Sequence, residues 1–242
     1  MIVIPMAGLS SRFKKAGYKL PKYMLEAHGK SLFSHSVGSF KKYYSDEEFL
    51  FIALNIFETR KFIEAECKTL GIKSYQIIIL DKPTRGQAET VYQGIKKANI
   101  ALNESLLIFN IDTFRPDFSW PKEFDISTVD GYLETFIGNG VNWSNVLPDN
   151  KSQQTVKITA EKQKISKYCC TGLYYWRSCE VFCRIFKSYR KKSISELEAG
   201  EYYIAPMYNS LVSEGKDVRY SVVGDDEVIF CGVPIEYEEF KV

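Results

Sequence analysis

Short apolar runs alternate with helix-length amphipathic segments along the first half of this chain, and this alternation constrains the fold more than any other feature. The apolar runs are Ile2–Met6, Phe49–Leu54, Tyr75–Leu80 and Leu106–Phe109. The segments with helical periodicity are Ser31–Tyr44, which Ser31 caps, Glu58–Leu70, which Gly71 ends, and Gln87–Ala98. Apolar runs without polar alternation are typical of parallel strands that are covered on both faces. The order therefore predicts a parallel sheet with right-handed crossovers and flanking helices.

The pattern changes near residue 128, where predicted strands follow one another directly. These strands are Val129–Ile137, Trp143–Leu147, Thr155–Ala160 and Tyr168–Trp176, with a hairpin turn at Asp149–Lys151. Two helices follow over Cys179–Tyr189 and Ile204–Glu214, and then two strands, Tyr220–Val223 and Val228–Phe230. No repeat, low-complexity stretch or linker separates the two halves. We predict one α/β domain over residues 1–242 with a Rossmann-like mixed sheet, mostly parallel over about residues 1–127 and mixed over about 128–242.

The charge balance and the cysteines exclude several classes of protein. A formal charge of +2 gives no electrostatic case for nucleic acid or an anionic membrane as a partner. No apolar run approaches the roughly 18 residues of a membrane span, and the N-terminus lacks the basic region of a signal peptide, so a cytoplasmic location is expected. The six cysteines form no C-x-x-C pair and are expected to be reduced and mostly buried. Cys179 and Cys183 could share a metal, but the two histidines lie far away in sequence, which disfavours structural zinc.

Small residues and two cations follow the first predicted strand. The small and polar residues are Ala7, Gly8, Leu9, Ser10 and Ser11. Arg12 comes next, and Lys22 follows ten residues later. Backbone N–H groups in such a loop can approach phosphate oxygens, a serine can cap the next helical turn, and the two cations can contact a triphosphate. The loop has neither a G-x-x-x-x-G-K-[ST] nor a G-x-G-x-x-G pattern, so a plain strand–turn–helix with surface charges remains an alternative.

Two further loops follow strands of the same predicted sheet. Ligands of open α/β sheets bind beyond the carboxyl ends of the strands. Asp112 follows the fourth strand and is placed to hold Mg²⁺, although a turn or cap residue is the alternative. Gly86 begins a helix and has no side chain, so a nucleotide base could lie against its backbone. The Gln87 amide could then form hydrogen bonds with an edge of that base. The alternative for this pair is an ordinary helix start.

These residues carry a resemblance to a known family. Pro5–Phe13 together with Pro21–Lys22 resembles the signature of the sugar-nucleotide pyrophosphorylase superfamily, especially its small bacterial, cytidylyltransferase-like members of surface-polysaccharide synthesis. The further segments that match in order are Gly86–Thr90, Asp112, Glu161–Lys162, Thr171–Tyr175 and Gly200–Ile204. The resemblance covers essentially the whole chain and implies a fold of the nucleotide-diphospho-sugar transferase type.

The resemblance implies a Mg²⁺-dependent nucleotidyltransferase that joins an NTP (CTP, UTP or dTTP) to a phosphorylated acceptor and releases pyrophosphate. It implies catalytic roles for Arg12, Lys22 and Asp112, the last also as the metal ligand. The implied nucleotide-binding residues are Ala7, Gly8, Leu9, Ser10, Ser11, Gly86 and Gln87. The implied acceptor-binding residues are Glu161, Lys162 and Gly172, and we add Trp143 as an aromatic candidate for the same site. A homodimer is possible, and neither nucleic acid nor membrane is expected as a partner.

The sequence departs from the family pattern at one position and leaves the acceptor open. Phe230 stands where the resemblance leads us to expect a second metal carboxylate, before Cys231–Pro234, and Asp225, Asp226 and Glu227 are near it but out of register. Aromatic residues could line an acceptor pocket or belong to the core, namely Trp143, Tyr174, Tyr203 and Tyr132. If several cluster, a cationic acceptor is possible, although a sugar 1-phosphate is the default expectation.

Two other functions stay open from the sequence. One is a nucleotide-sugar-dependent glycosyltransferase, against which the run Asn110-Ile111-Asp112 argues, because that class usually binds its metal through Asp-x-Asp. The other is a non-catalytic nucleotide-binding protein, which Phe230 suggests.

Overall fold

The structure is a computed structural model, and it describes the backbone of residues 1–242 and every side chain except those at positions 194 and 198. The strands are β1 (Ile2–Met6), β2 (Glu26–Ala27), β3 (Lys30–Ser31), β4 (Glu48–Leu54), β5 (Ser74–Leu80), β6 (Leu106–Phe109), β7 (Thr113–Phe114), β8 (Gly131–Ile137), β9 (Ser144–Pro148), β10 (Val156–Glu161), β11 (Tyr168–Trp176), β12 (Val218–Val223) and β13 (Ile229–Phe230). The α-helices are α1 (Ser11–Lys15), α2 (Leu32–Gly38), α3 (Thr59–Leu70), α4 (Gln87–Ala98), α5 (Cys179–Tyr189), α6 (Tyr208–Ser213) and α7 (Pro234–Lys241).

A nine-stranded sheet runs through the whole molecule. Its main path has the order β10-β9-β11-β6-β1-β4-β5, and β8 joins β11 to β12. The pairs β6-β1, β1-β4 and β4-β5 are parallel, whereas β11 pairs antiparallel with β6, β8 and β9. Two short antiparallel pairs, β2-β3 and β7-β13, stand apart from it. The α/β class and the mostly parallel first half with a mixed second half are confirmed.

The parallel strands are buried on both faces, as their unbroken apolar runs predict. Along β4, Leu50, Ile52 and Leu54 pack into one core with α4 and α5, while Phe49 and Phe51 pack into a second core with α2 and α3. Because side chains alternate across a strand, each strand supplies both cores. The sheet is thereby fixed between two helical layers, and the carboxyl ends of its parallel strands share one edge.

Several predicted boundaries are wrong. The helix predicted over Ser31–Tyr44 ends at Gly38, and a separate 3₁₀ turn covers Lys41–Tyr43. The predicted cap is present, because the Ser31 hydroxyl accepts from Ser34 N at 3.0 Å at the start of α2. The helix predicted over 204–214 is a 3₁₀ turn at Ala205–Met207 followed by α6. Strand β13 lies within the predicted strand Val228–Phe230, but its pairing with β7, the short pair β2-β3 and helix α7 have no counterpart among the predictions.

Among the helices that the structure describes, none combines the length and the hydropathy that a membrane crossing requires. All six cysteines are buried and free. Cys179 and Cys183 lie on one face of α5 with their sulfurs 4.0 Å apart. The described residues hold no group of three or more metal-ligating His, Cys, Asp or Glu side chains.

Candidate active site

The loop after β1 folds back onto the segment that carries Lys22. Ser10 precedes α1 with a left-handed φ of 50° and makes no side-chain cap, so the expected serine cap is wrong. Its hydroxyl instead accepts a hydrogen bond from the backbone N–H of Lys22 at 3.3 Å. Ser10 therefore connects the loop after β1 to the segment that carries Lys22, instead of capping helix α1.

Lys22 and Asp112 meet at the carboxyl end of the sheet. The Lys22 Nζ lies 2.5 Å from Asp112 Oδ2, and the two side chains are 20 % and 22 % exposed. Asp112 lies three residues past the end of the buried strand β6, and its carbonyl accepts from Cys231 N at 2.8 Å. Sequence positions 22, 112 and 231 are thereby brought together, and Arg12 lines the same cavity as Lys22 and Asp112.

Two cavities open side by side around this ion pair, one of about 520 Å³ and one of about 570 Å³. We call them the acceptor-side and the base-side cavity. Residues that line both are Leu9, Ser10, Ser11, Lys22, Gln87, Asn110, Asp112 and Tyr203. Predicted residues that line only the acceptor-side cavity are Arg12, Trp143, Glu161, Lys162 and Gly172. Predicted residues that line only the base-side cavity are Ala7, Gly8 and Gly86. Every predicted site residue thus faces one continuous cleft, while the roles assigned to them stay predictions.

The base-side cavity is bounded by a close contact between two loops. Gly86 has φ +139°, and a Cβ at this position would lie 2.6 Å from Tyr202 N. Tyr202 N donates to Arg85 O at 2.9 Å, and Ala88 N donates to Tyr202 O at 2.9 Å. The glycine is therefore required because the backbone of Tyr202 lies against it.

An acidic residue on α4 holds the loop before Gly86. The Glu89 carboxylate accepts from Arg85 N at 2.7 Å and from Arg85 Nη2 at 2.7 Å. Burial opposes the ionisation of Glu89, but the hydrogen bonds from Arg85 outweigh it, so its pKa is lowered. The ionised carboxylate thus stabilises the turn that shapes the base-side cavity.

Asn110 lies where the two cavities meet, a position that the sequence did not single out. Gln87 Nε2 donates to Asn110 Oδ1. A Cβ at Gly172, which has φ +99°, would lie 2.4 Å from Asn110 Nδ2. Gly172 is therefore explained by the packing of the Asn110 side chain, at the point where the pairing of β11 with β8 shifts register.

The acceptor-side cavity has a charged wall and an aromatic wall. Glu161 is buried and accepts from the Ser144 hydroxyl. Lys162 Nζ donates to the Tyr203 hydroxyl at 2.5 Å and lies 4.6 Å from the centroid of that ring. On the neighbouring chain segment the rings of Trp143 and Phe230, which line the same cavity, are 4.4 Å apart at 57°.

Two aromatic predictions have different outcomes. Tyr174 lines the acceptor-side cavity with Trp143 and Tyr203. Tyr132 does not, and it belongs to the core, which is the other of the two interpretations that the sequence left open. It is fully buried and its hydroxyl lies 2.7 Å from Ser221 Oγ. Its side chain belongs to the core that packs against α2 and α3.

A buried ion pair lies beneath the acceptor-side cavity, and the sequence did not predict it. Arg115 Nε donates to Glu134 Oε1 at 2.8 Å, and both side chains are nearly inaccessible to solvent. Thr171, next to Gly172, donates to the same Glu134 oxygen at 2.9 Å. Arg115 also donates to the carbonyl of Glu227. The pair therefore connects β7, β8 and β11 to the segment that precedes Phe230.

A divalent cation fits the oxygen donors beside Lys22. Asp112 is one hard carboxylate donor. Glu236, at the start of α7, lines the same cavity, but its Oε2 accepts from Gly232 N at 2.8 Å and from Val233 N at 3.1 Å, so Oε1 is the oxygen that it could offer to a cation. A Cβ at Gly232 would lie 3.0 Å from Asp112 Oδ2, so the glycine lets this turn approach the aspartate. Asp225, Asp226 and Glu227 line neither cavity. Carboxylates with room for water are the donor set that Mg²⁺ prefers.

Comparison with known proteins gives one strong match. No family model matches the chain, and no curated protein is significantly similar to it. The chain is 49 % identical to the nucleoside-diphosphate-sugar pyrophosphorylase from Vibrio cholerae RC9, with 99 % of each chain covered and a TM-score of 0.93. It also matches the inositol-1-phosphate CTP transferase from T. maritima over 97 % of this chain and 90 % of that one, with a TM-score of 0.76. At 16 % identity the second match shows a shared fold alone.

Proposed function

This chain belongs to the nucleoside-diphosphate-sugar pyrophosphorylase family, and we propose that it joins an NTP to a phosphorylated acceptor and releases pyrophosphate. The NTP is CTP, UTP or dTTP, and the acceptor is a sugar 1-phosphate or a similar phosphomonoester. The product is an NDP-activated acceptor of the kind that surface-polysaccharide synthesis consumes. The family membership supports nucleotidyl transfer over the glycosyltransferase alternative.

One observation carries this proposal. The Lys22–Asp112 ion pair lies where the base-side and acceptor-side cavities meet. A nucleotide in one cavity and an acceptor in the other would bring their phosphates together beside Lys22. Each cavity also has space for one of the two substrates, since ligand sites of about 300–1,000 Å³ hold drug-sized molecules.

The reaction asks the protein for position and charge rather than for a nucleophile. An oxygen of the acceptor phosphate attacks the α-phosphorus, the bond from that phosphorus to the pyrophosphate oxygen breaks, and pyrophosphate leaves. The attacking phosphate is largely ionised at neutral pH, so no general base is needed. The cysteines nearest the cleft support this, because burial raises the pKa of the Cys170 thiol, and burial raises the pKa of Cys231 to about 12, so both are poor nucleophiles.

Named residues of the chain would supply the charge. In the proposed complex the N–H groups of the loop around Gly8 and Ser10 contact phosphate oxygens, and Arg12 holds the leaving pyrophosphate. Lys22 exchanges its contact with Asp112 for the α-phosphate and the acceptor phosphate. Mg²⁺, which Asp112 and Glu236 would hold, offsets negative charge on the phosphate oxygens when it is bound.

The acceptor is proposed to lie between Glu161 and the Trp143–Phe230 wall. The Glu161 carboxylate can accept from acceptor hydroxyls, and Lys162 can contact the acceptor phosphate. An aromatic wall packs against the apolar face of a sugar or cyclitol ring. One neighbour of the same fold is described as acting on inositol 1-phosphate, so phosphorylated cyclitols belong in the substrate screen beside sugar 1-phosphates.

The test is a pyrophosphate-release screen with Mg²⁺, in which four NTPs are combined with sugar phosphates, cyclitol and polyol phosphates, and phosphocholine. We expect release for one NTP and one acceptor class, and loss of that release in Arg12→Met. Saturable NTP binding in calorimetry with no turnover on any acceptor would identify a non-catalytic nucleotide-binding protein. Hydrolysis of nucleotide sugars without NTP consumption would identify the glycosyltransferase alternative.

A further inference from the structure

One tyrosine belongs to both cavities and contacts the lysine on the acceptor side. Tyr203 lines the base-side and the acceptor-side cavity, whereas Lys162 lines only the acceptor-side cavity. The Lys162 ammonium donates to the Tyr203 hydroxyl at 2.5 Å and lies 4.6 Å from the ring centroid. The ammonium therefore has two contacts with one side chain, a hydrogen bond to the hydroxyl and an attraction to the ring.

The position of Tyr203 is itself fixed by the base-side loop. Its neighbour Tyr202 exchanges backbone hydrogen bonds with Arg85 and Ala88, each at 2.9 Å. Tyr202 is fully buried, and Tyr203 is partly buried. Burial raises the pKa of Tyr203, so its hydroxyl is protonated at neutral pH and accepts through a lone pair. The backbone contacts of Tyr202 with the loop before α4 thus fix the position from which the Tyr203 hydroxyl contacts Lys162.

The Lys162 side chain needs a contact that fixes the position of its ammonium. Lys162 follows β10 with a left-handed φ of 52°, and its backbone N–H donates to Trp143 O at 3.1 Å. The backbone is therefore fixed, while four rotatable side-chain bonds remain. An ammonium has three N–H donors, and Tyr203 accepts one of them. The other two stay available for phosphate oxygens, and less side-chain entropy is lost when a phosphate binds.

We propose that Tyr203 is a positioning residue that holds the Lys162 ammonium in the acceptor-side cavity for the phosphate of the acceptor. This inference rests on the proposed function, because it takes an acceptor phosphate as the partner of Lys162. It adds a residue that acts through the lysine without touching the reacting atoms. It also ties the acceptor cation to the loop that bounds the base-side cavity.

The kinetic test separates the hydroxyl from the ring. With the acceptor found in the screen, Tyr203→Phe is expected to raise the acceptor KM about tenfold, the loss typical of a hydrogen bond to a charged group. Tyr203→Leu, which also removes the ring face, is expected to raise it further. In Tyr203→Phe the KM for the NTP stays within about twofold, since the ring that lines the base-side cavity is kept and the NTP does not contact Lys162. Tyr168→Phe is the matched control, because Lys167 lies 5.6 Å from the Tyr168 ring outside both cavities.

A double-mutant cycle distinguishes positioning from a general structural effect. In a Lys162→Met background, Tyr203→Phe is expected to change the acceptor KM by less than about twofold, because the two residues act as one unit. Equal tenfold effects in both backgrounds would overturn the proposal. A lower acceptor KM in Tyr203→Phe would also overturn it, since Tyr203 would then hold Lys162 away from the phosphate.

A readout without turnover keeps this inference separate from the proposed function. Lysines are labelled biosynthetically with ¹³C at Cε, which leaves all three ammonium N–H groups in place, and the Lys162 signal is assigned by its loss in Lys162→Arg. We expect this signal to be shifted upfield by the Tyr203 ring, to move when inorganic phosphate is added, and to lose both properties in Tyr203→Leu. An unchanged signal in Tyr203→Leu would overturn the inference. If the signal behaves as expected but no acceptor turns over, the proposed function fails instead.

Discussion

Lys22 and Asp112 neutralise each other in the cleft. Their 2.5 Å contact satisfies both charges at a site where each is about one-fifth exposed. A phosphate that enters the cleft competes with Asp112 for the lysine, and a divalent cation competes with Lys22 for the aspartate. The exchange of partners costs little, because each charge leaves one opposite charge for another.

Removing the lysine should therefore affect turnover far more than stability. For Lys22→Met we expect kcat/KM to fall by about 10²–10³, the loss typical of one electrostatic contact in the transition state. The midpoint of thermal unfolding should change little, because the lost ion pair is partly exposed. Initial rates of pyrophosphate release and a thermal melt measure both. Lys15→Met, which removes an exposed cation from α1 outside both cavities, is the control, and equal losses in both variants would contradict the assignment.

Gly8 offers a test of where the triphosphate lies. A Cβ at Gly8 meets nothing within 4 Å, and the same is true of Gly38 in α2. Neither glycine has a positive φ, so alanine strains neither backbone. If phosphate occupies the space beside Gly8, Gly8→Ala should raise the NTP KM at least about tenfold while leaving the melting midpoint unchanged. Gly38→Ala should leave the KM unchanged; the same KM in both variants would mean that phosphate does not approach Gly8.

At the scale of elements, the loop before α4 depends on one ionised carboxylate. The pKa of Glu89 is lowered because the hydrogen bonds from Arg85 outweigh its burial. A lowered folded-state pKa stabilises the fold above the ordinary value of 4.5, and this stabilisation is lost as the pH falls through the folded-state pKa. Glu89→Gln should thus melt below the wild type at pH 7, with the difference shrinking below pH 4.5. Glu64→Gln changes an exposed side chain of α3 and is the control. Its melting midpoint should not approach that of the wild type as the pH falls, in parallel melts from pH 3 to pH 7.

The Arg115–Glu134 pair makes the acceptor-side strands depend on a buried charge. Arg115→Met leaves Glu134 buried without its partner, so we expect a loss of about 3–5 kcal/mol in the free energy of unfolding. Arg184→Met removes an exposed ion pair with Glu214, and the expected loss is about 0–1 kcal/mol. Urea denaturation followed by circular dichroism measures both. If Arg115→Met and Arg184→Met lost similar free energies of unfolding, burial of the Arg115–Glu134 pair would not explain its contribution.

Elements with strong local signals could be predicted from the sequence, and elements that depend on distant partners could not. Helices α4 and α5 and strands β6 and β11 match their predictions residue for residue, because periodicity and turn residues mark their ends. The pair β7-β13 joins residues more than a hundred positions apart, and no local pattern indicates such a pairing. The predicted helix over Ser31–Tyr44 is too long, because Phe40 points into the core from a non-helical backbone with φ −104°.

The candidate site follows the same division. The loops after β1, β5 and β6 could be found because each follows a predicted strand, and the sheet then brings strand ends together. Glu161, Lys162 and Gly172 were identified only through the resemblance. Arg115 and Glu236 were not identified and Asn110 was given no role, because their importance lies in contacts with Glu134, the Gly232 turn and Gly172, which only the folded chain creates. Tyr132 stayed open between a pocket and the core, because an aromatic strand residue carries no sign of which face it occupies.

At the scale of the whole molecule, the nucleotide and acceptor halves share one sheet. β6 in the first half pairs with β11 in the second over Phe109–Leu106 and Leu173–Trp176. The acceptor-side cavity takes residues from both halves, including Lys22 and Lys162. The residues proposed to bind the two substrates thus belong to one continuous hydrogen-bonded structure, and no hinge is needed to bring Lys22 and Lys162 to one cavity.

A shared sheet predicts that both halves unfold together. Trp120 reports on the first half and packs 5.7 Å from the Tyr175 ring of the second, and Trp176 is fully buried in β11. Two variants that each keep one of these tryptophans, with the others replaced by phenylalanine, should give coincident urea transitions by fluorescence, and both should coincide with circular dichroism. If the halves were independent domains, Trp120 and Trp176 would report different midpoints, because the free energy of each half would then decide its own transition. The continuous β6-β11 pairing argues for one midpoint, since separating the halves exposes the edges of two buried strands to water.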